Sequence, residues 1–179
     1  MTAFLSLALL QAASTPMPIP DLEAARAEVA AKDAALFWAA FEGCTPEKLE
    51  ELLTPEFRML HDIAGLAVKD RASFVQGLKS QCAARAPDGE NAGYKNRRLL
   101  VPATRTVTPL GDWGVLERGY HTFHEWRGED LGWVQTGGAR YIHVWQWQSY
   151  EGQFRLAESI SVDHGAAPTY PPPTGSAGS

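Results

Sequence analysis

The stretch from Ala139 to Asp163 constrains the fold of this chain more than any other. Apolar and polar residues alternate along two runs, Ala139–Ser149 and Gln153–Asp163, and Glu151-Gly152 stands between them. Alternation with a period of two is typical of a strand with one buried face, and a glycine-containing break between two such runs indicates a hairpin. The first strand carries bulky rings on one face, at Tyr141, His143, Trp145 and Trp147.

Upstream of this hairpin the pattern predicts helices first and further strands afterwards. The helices run from Asp21 to about Glu42, from Thr45 through Leu53 (ended by Thr54-Pro55-Glu56), and from Asp70 or Ser73 towards Cys82. The strands are Phe57–Asp62, Leu66–Val68, Leu99–Val107 and Trp113–Trp126, with a long loop at Arg127–Gly138 before the closing hairpin. The last four strands then form one antiparallel meander. Helices packed on one face of a curved sheet make an α+β fold.

Both ends of the chain are predicted to lie outside this domain, which spans residues 21–165. Residues 1–14 are typical of a signal peptide, because the apolar run Ala3–Leu10 is followed by small residues and is too short for a stable membrane anchor. Residues 15–20 are expected to form a linker, and the Pro-, Gly- and Ser-rich residues 166–179 a disordered tail. The prediction is an exported protein, periplasmic or secreted; the alternative is a cytosolic protein with a frayed N-terminus.

The chain has two cysteines, Cys44 and Cys82. In an exported protein an even number of cysteines favours a disulfide, whereas in the cytosol two free thiols are usual. The bridge would close a loop of about 38 residues, which chain entropy values at roughly 4 kcal/mol.

The charge of the chain limits its partners. The net charge of −5 and the pI near 5.5 argue against nucleic acid or an anionic membrane as the main partner. The basic cluster Lys95, Arg97 and Arg98 is expected to be a solvated sheet edge. In the first helix, Asp33 is placed with the other charged residues opposite the apolar stripe.

The order of these elements resembles the nuclear transport factor 2-like (NTF2-like, cone-fold) superfamily, most closely its DUF4440 and SnoaL-like branch. The similarity spans Leu22–His164 and is carried by the opening helix with Trp38, by LLTPEFRMLHDIAGL, by TPLGDWGVLERGYHTF and by ARYIHVWQW with GQFRLAES. The resemblance implies a six-stranded cone whose open end holds a pocket. It also implies homodimerisation, which is frequent in this superfamily. Members of the superfamily include cyclases, steroid isomerases, dehydratases and proteins without catalytic activity.

Strand parity selects the candidate pocket residues. A two-residue turn at Glu151-Gly152 would place Trp145 opposite Glu158 and His143 opposite Ile160, so Glu158 would face the interior. Desolvation would raise the pKa of Glu158 and suit it to proton transfer, unless it accepts structural hydrogen bonds from an indole or an arginine. A hairpin through the long loop would bring His121 beside His143. The predicted pocket residues are Glu117, His121, Tyr141, His143, Trp145 and Glu158, and the resemblance adds His61, which it places at the rim of the pocket.

Three functions remain open. The first is binding of a small, mainly apolar or aromatic molecule without chemistry. The second is a cofactor-free isomerase, cyclase or dehydratase, with Glu158 and His61 as the candidate acid–base groups. The alternative role for His61 is structural, in which His61 and Asp62 together cap the turn that follows the first strand. The third is a dimerisation scaffold. A metal site is not predicted, because His121 and His143 have no third ligand in the local sequence. A serine nucleophile is not predicted either, since no serine stands in a G-x-S-x-G motif.

Overall fold

The computed structural model describes residues 15–165, which form three α-helices and six β-strands. The helices are α1 (Leu22–Phe37), which continues as a π-helical segment (Trp38–Gly43), α2 (Pro46–Leu52) and α3 (Arg71–Arg85). The strands are β1 (Leu53–His61), β2 (Gly65–Val68), β3 (Asn96–Leu110), β4 (Gly114–Trp126), β5 (Trp133–Gln148) and β6 (Gln153–Gly165). The predicted signal peptide and tail lie outside the described residues.

All six strands belong to one sheet in the order β2-β1-β6-β5-β4-β3. The strands β3 to β6 pair as consecutive antiparallel neighbours, whereas β1 lies parallel to β6. The helices cover one face of this curved sheet and enclose the core with it. The predicted α+β fold and the four-stranded meander are confirmed.

Capping residues fix where the helices begin. The Asp21 carboxylate accepts a hydrogen bond from the Ala24 amide at 2.9 Å, and the Asp70 carboxylate accepts one from the Ser73 amide at 2.7 Å. Ser73 returns a bond to the Asp70 backbone, which completes a capping box. The sequence offered Asp70 or Ser73 as the start of α3; the two residues act together there.

Two predicted boundaries are wrong. Thr54-Pro55-Glu56 belongs to β1 instead of ending α2, and proline is tolerated because the pairing of β1 with β6 is irregular between Leu53 and Arg58. β5 begins at Trp133, six residues earlier than predicted, and the connection from β4 shortens to residues 127–132. The Trp133 ring packs against Trp126 across this turn at a centroid distance of 5.8 Å. Cross-strand packing therefore extends the hairpin into the segment that was predicted to be a loop.

The predicted linker packs against the end of the closing hairpin. Residues 15–20 have no helix or strand, but the Met17 amide donates to the Ser149 carbonyl at 2.8 Å. The Trp147 indole N–H in turn donates to the Met17 carbonyl at 2.9 Å. No helix within residues 15–165 is long and apolar enough to cross a membrane.

Cys44 and Cys82 are joined by a disulfide, which confirms the predicted bridge. The bridge joins Cys44, the residue after the π-helical segment, to Cys82 in α3, and so links two of the helical elements that cover the sheet. Because the two cysteines lie 38 residues apart, the bridge removes considerable freedom from the unfolded chain.

We expect Cys44→Ser and Cys82→Ser each to lower the free energy of unfolding by about 2–5 kcal/mol, since either change opens the same loop. Urea denaturation followed by circular dichroism measures this. The double variant should be no less stable than the singles. A decrease below about 1 kcal/mol in all three would contradict the prediction.

Candidate functional site

A cavity of about 370 Å³ lies inside the cone. It is bounded by α1 and the π-helical segment on one side, by α3 on another, and by the inner face of the sheet. Most of its wall is apolar, which suits a hydrophobic molecule. The apolar wall consists of Leu36, Phe37, Ala40, Phe41, Phe57, Met59, Phe74, Leu78, Phe123 and Leu156.

One end of the cavity rests on a buried ion pair. The Arg98 guanidinium donates from Nη1 to Asp33 Oδ2 at 2.5 Å, and both side chains are almost fully buried. Arg98 is also held between the rings of Phe37 and Tyr141, at 3.8 and 4.8 Å from their centroids. The prediction that Arg98 lies at a solvated edge and Asp33 on a solvent-facing surface is therefore wrong for both residues.

The ion pair lies beside two histidines of the cavity wall, His121 and His143, and determines the state of His121. Arg98 Nε donates to His121 Nδ1 at 2.9 Å, so the ring proton of His121 is on Nε2. Burial and the neighbouring charge of Arg98 lower the pKa of His121 to about 2, so this ring is neutral. His143 Nδ1 lies 3.1 Å from Asp33 Oδ1 without hydrogen-bond geometry. Burial raises the pKa of Asp33, but His143 and Arg98 lower it by more, to below its usual value.

His121 Nε2 is buried and has no hydrogen-bond partner among residues 15–165. The side chain is only 3% exposed and lines the cavity. A neutral ring N–H without a protein partner is costly to bury, by about 1–3 kcal/mol. A hydrogen-bond acceptor on a bound molecule would remove that cost.

Three predicted pocket residues lie together but behind the wall. Glu117 accepts hydrogen bonds from Arg105 Nε at 2.5 Å, from Trp145 Nε1 at 2.8 Å and from the Tyr141 hydroxyl at 3.4 Å. The carboxylate is fully buried, and burial with the nearby Glu117 charge raises the pKa of Tyr141. Glu117, Tyr141 and Trp145 are absent from the cavity lining, whereas His61, His121 and His143 line it. Glu117, Tyr141 and Trp145 therefore stabilise the core of the protein and do not contact the cavity.

The predicted strand registers are wrong, and Glu158 is displaced as a result. β5 and β6 are joined through residues 149–152, and Ala157 is an extra residue between the pairs Trp145–Leu156 and Val144–Glu158. This bulge turns Glu158 to the outer face, where its carboxylate pairs with Arg58 at 2.8 Å. Similarly, His143 lies opposite Glu117 instead of His121, because the β4–β5 connection is shorter than predicted.

The opposite end of the cavity carries a second polar cluster, formed by His61, Asp62, Ser161 and His164. His164 Nδ1 lies 2.6 Å from Asp62 Oδ1, and His164 Nε2 lies 3.2 Å from Ser161 Oγ. The His61 ring stacks on His164 with centroids 3.9 Å apart. His61, Ser161 and His164 line the cavity.

Sequence reasoning missed Asp33, Arg98, Ser161 and His164. Asp33 lies four residues after Val29 and four before Phe37, so its helical spacing puts it on the apolar stripe, but its charge led to the prediction that it lies on the opposite face. Arg98 has a weaker signal, because its inward position follows only from pairing with Phe123. Ser161 and His164 have no sequence signal for an inward position, since irregularities of the backbone turn them towards the cavity.

Within residues 15–165, two groups bring metal-ligand atoms within 4.8 Å of one another: Asp33 with Glu117 and His143, and His61 with Asp62 and His164. The first lies beside Arg98 and Arg105, and Glu117 already accepts three hydrogen bonds. Those two cations would repel a metal ion. In the second, the His61 and His164 planes are only 17° apart and stacked, so their in-plane lone pairs do not converge on one point.

Known proteins resemble this chain in structure. No family model and no curated protein matches its sequence. A Catenulispora acidiphila protein, solved in complex with S-DNPA, is 19% identical over 78% of this chain and 94% of its own, with a TM-score of 0.59. An NTF2-like protein from Novosphingobium aromaticivorans is 18% identical (78% and 82% covered, TM-score 0.60). An NTF2-like superfamily protein from Salmonella enterica is 15% identical (83% and 96% covered, TM-score 0.60). This similarity shows the fold.

We expect Asp33→Asn to lower the free energy of unfolding by about 3–5 kcal/mol, because Arg98 keeps a buried charge without its counter-charge. Chemical denaturation measures this. Glu23→Gln, an exposed acidic residue of the same helix, is the control and should cost less than about 1 kcal/mol. The double change Asp33→Leu with Arg98→Met should recover most of the loss. A double variant as unstable as Asp33→Asn would contradict this account.

We also expect the free energy of unfolding to fall between pH 7 and pH 5. Unfolded His121 takes up a proton near its ordinary pKa of 6.5, whereas the folded residue does so only near 2. The unfolded state therefore binds more protons in this range, and stability is lost as the pH falls, by up to about 1.4 kcal/mol per pH unit. His121→Gln retains an acceptor for Arg98 but does not titrate. Its pH slope should be smaller, and equal slopes would refute the assignment.

Proposed function

We propose that this chain, which has the NTF2-like cone fold, binds a small, mainly apolar molecule in the cone cavity. The observation that carries this proposal is the combination of an apolar wall with a buried donor that has no hydrogen-bond partner among residues 15–165. The donor is His121 Nε2, and the bound molecule would offer it an oxygen acceptor such as a carbonyl.

The volume and the lining of the cavity both support this proposal. About 370 Å³ lies near the lower end of the range for small-molecule sites, so the ligand would be a compact one. Stacked phenyl rings at Phe41 and Phe123, 5.9 Å apart, favour a flat or aromatic molecule. The buried N–H of His121 would orient the ligand, because its acceptor oxygen would have to lie next to Nε2.

The choice between binder and scaffold depends on whether aromatic side chains fill the cone. Trp145 lies behind the wall, and Trp147 also stays out of the cavity lining. An open cavity favours a binding role over a scaffold alone. Homodimerisation and membership of the DUF4440 branch remain part of the proposal, and native mass spectrometry would report the oligomeric state.

A cofactor-free enzyme is the second candidate, and the polar cluster around His164 favours it. Glu158 no longer belongs to that candidate, because it pairs with Arg58 on the outer face. The acid–base groups would be His61 and His164. Export to an oxidising compartment also belongs to the proposal, and the Cys44–Cys82 disulfide supports it.

Fluorescent probes test the binding proposal. N-phenyl-1-naphthylamine is apolar, and the naphthyl ketone Prodan adds a carbonyl acceptor. We expect the protein to bind both at micromolar concentrations. Ala40→Phe, which puts a ring into the cavity, should weaken both at least tenfold. Ala83→Phe, on the exposed face of α3, is the matched control and should bind as the unchanged protein does.

The same probes test the role of His121. His121→Phe keeps a ring but removes the donor, so Prodan affinity should fall about tenfold relative to that of the apolar probe. The ratio of the two affinities corrects for general disturbance of the fold. If the ratio of the two affinities does not change, His121 does not bind the ligand. If Ala40→Phe weakens the binding of neither probe, the proposal that ligands bind in the cone is wrong.

A further inference from the structure

The polar end of the cavity has the connectivity of a serine, a histidine and a carboxylate in series. The Ser161 hydroxyl lies 3.2 Å from His164 Nε2, and His164 Nδ1 lies 2.6 Å from Asp62 Oδ1. We call these three residues the Ser161 relay. Serine nucleophiles are recognised by this geometry and these roles, on unrelated folds and in any chain order.

Asp62 holds His164 in one orientation and one tautomer. Its second oxygen accepts the His164 backbone amide at 3.1 Å, so both carboxylate oxygens bind the same residue. Slight desolvation raises the pKa of Asp62, but these bonds and the nearby histidines lower it by more, to below its usual value. A carboxylate that accepts from Nδ1–H leaves the Nε2 lone pair for the Ser161 proton. Ser161 is thereby set up to lose that proton to His164.

Backbone irregularities bring the relay together. Residues 161 and 164 of a regular strand would face opposite sides. Asp163 adopts a left-handed conformation with φ of 59°, which only a few non-glycine residues do, and His164 consequently returns to the cavity side. The Arg140 side chain holds Asp163 by a hydrogen bond of 2.9 Å. Strained backbone of this kind collects at functional sites.

His61 supplies a donor beside the serine. It lies directly opposite Ser161 in the parallel pairing of β1 with β6. Its Nδ1 accepts the Ile63 amide at 3.2 Å, so its proton is on Nε2. Burial is the main cause that lowers the pKa of His61 below its ordinary value, which favours the neutral ring. A neutral N–H next to the nucleophile can donate to the oxygen of an attacked carbonyl.

We propose that Ser161 is a nucleophile and that the molecule taken into the cavity is a small carboxylic ester with apolar substituents. This inference rests on the proposed function, because it requires the cavity to admit the ester. It reverses the expectation from the sequence, where no motif marked a serine.

The reaction is ordinary ester hydrolysis through an acyl-enzyme. Ser161 Oγ bonds to the carbonyl carbon while its proton passes to His164 Nε2. The bond from carbon to the leaving oxygen then breaks, and the alcohol takes the proton from His164. In the second half, water attacks the acyl group, His164 accepts a proton from water, and the bond to Oγ breaks. Ser161 recovers the proton, and the carboxylic acid leaves.

A fluorophosphonate probe and p-nitrophenyl butyrate test this proposal on the full-length protein. We expect the probe to label Ser161, as read by peptide mass spectrometry, and butyrate release to exceed the uncatalysed rate. Ser161→Ala should lose the label and at least 100-fold of the rate. Asp62→Asn should slow hydrolysis at least tenfold, because His164 loses its fixed tautomer. Ser80→Ala, on the exposed part of α3, is the control and should match the unchanged protein.

Other outcomes overturn the proposal. These are an absent label, a label on another serine such as Ser159, or an unchanged rate in Ser161→Ala. Hydrolysis that Ser161→Ala retains, that EDTA removes and that Zn²⁺ restores would instead make the His61, Asp62 and His164 cluster a metal site.

A second variant and the binding probes keep the test decisive. In the variant Ser161→Cys, iodoacetamide should alkylate the new thiol at least tenfold faster than in the double variant Ser161→Cys with Asp62→Asn. This comparison does not require the Ser161→Ala variant to fold. If Ser161→Ala binds Prodan within twofold of the unchanged protein while every variant hydrolyses alike, the nucleophile fails and ligand binding stands. If Prodan does not bind the unchanged protein, the proposed function fails first.

Discussion

The buried ion pair between Asp33 and Arg98 is the interaction on which the rest of the site depends. It joins the middle of α1 to the first strand of the meander, across the layer where helices meet sheet. A buried pair of this kind contributes little net stability compared with an apolar substitute, but the loss of one partner is expensive. The pair matters because it fixes the position of Arg98, whose guanidinium also contacts the rings of Phe37 and Tyr141. In this position Arg98 Nε donates to His121 Nδ1, and the proton of the His121 ring is therefore on Nε2.

The cavity consequently has two polar ends with different chemistry. At the Arg98 end, a cation is paired within the wall, and His121 offers a neutral donor that stays neutral at all physiological pH values. At the other end, Asp62 is an anion that binds His164, and the hydrogen-bonded ring leaves a lone pair towards Ser161. A molecule with an oxygen at one end and a reactive carbonyl at the other would match both.

The elements of the fold could be predicted because they depend on local patterns, and their order carried the resemblance that predicted the cone. The alternation in Ala139–Asp163 and the caps at Asp21 and Asp70 each have a signal within a few residues, and the disulfide followed from an even number of cysteines in a chain expected to be exported. The site could be predicted only in part. His121 and His143 were predicted from strand parity, whereas His61 was predicted from the resemblance to the NTF2-like superfamily. Asp33 was missed because its charge outweighed its position on the apolar stripe, and burial became tolerable only through Arg98, 65 residues away.

The residues that sequence parity misplaced share one physical cause, which is that β6 is not a regular strand. The extra residue Ala157 exchanges the two faces, so Glu158 turns out and Ser159 and Ser161 turn in. The left-handed Asp163 reverses the alternation a second time and brings His164 to the side of Ser161. Each irregularity costs pairing or backbone energy, and bonds from Arg58, Arg140 and Asp62 offset it. Small polar residues at alternate positions resemble an ordinary solvent face, so only the backbone reveals that this strand carries the chemistry of the cavity.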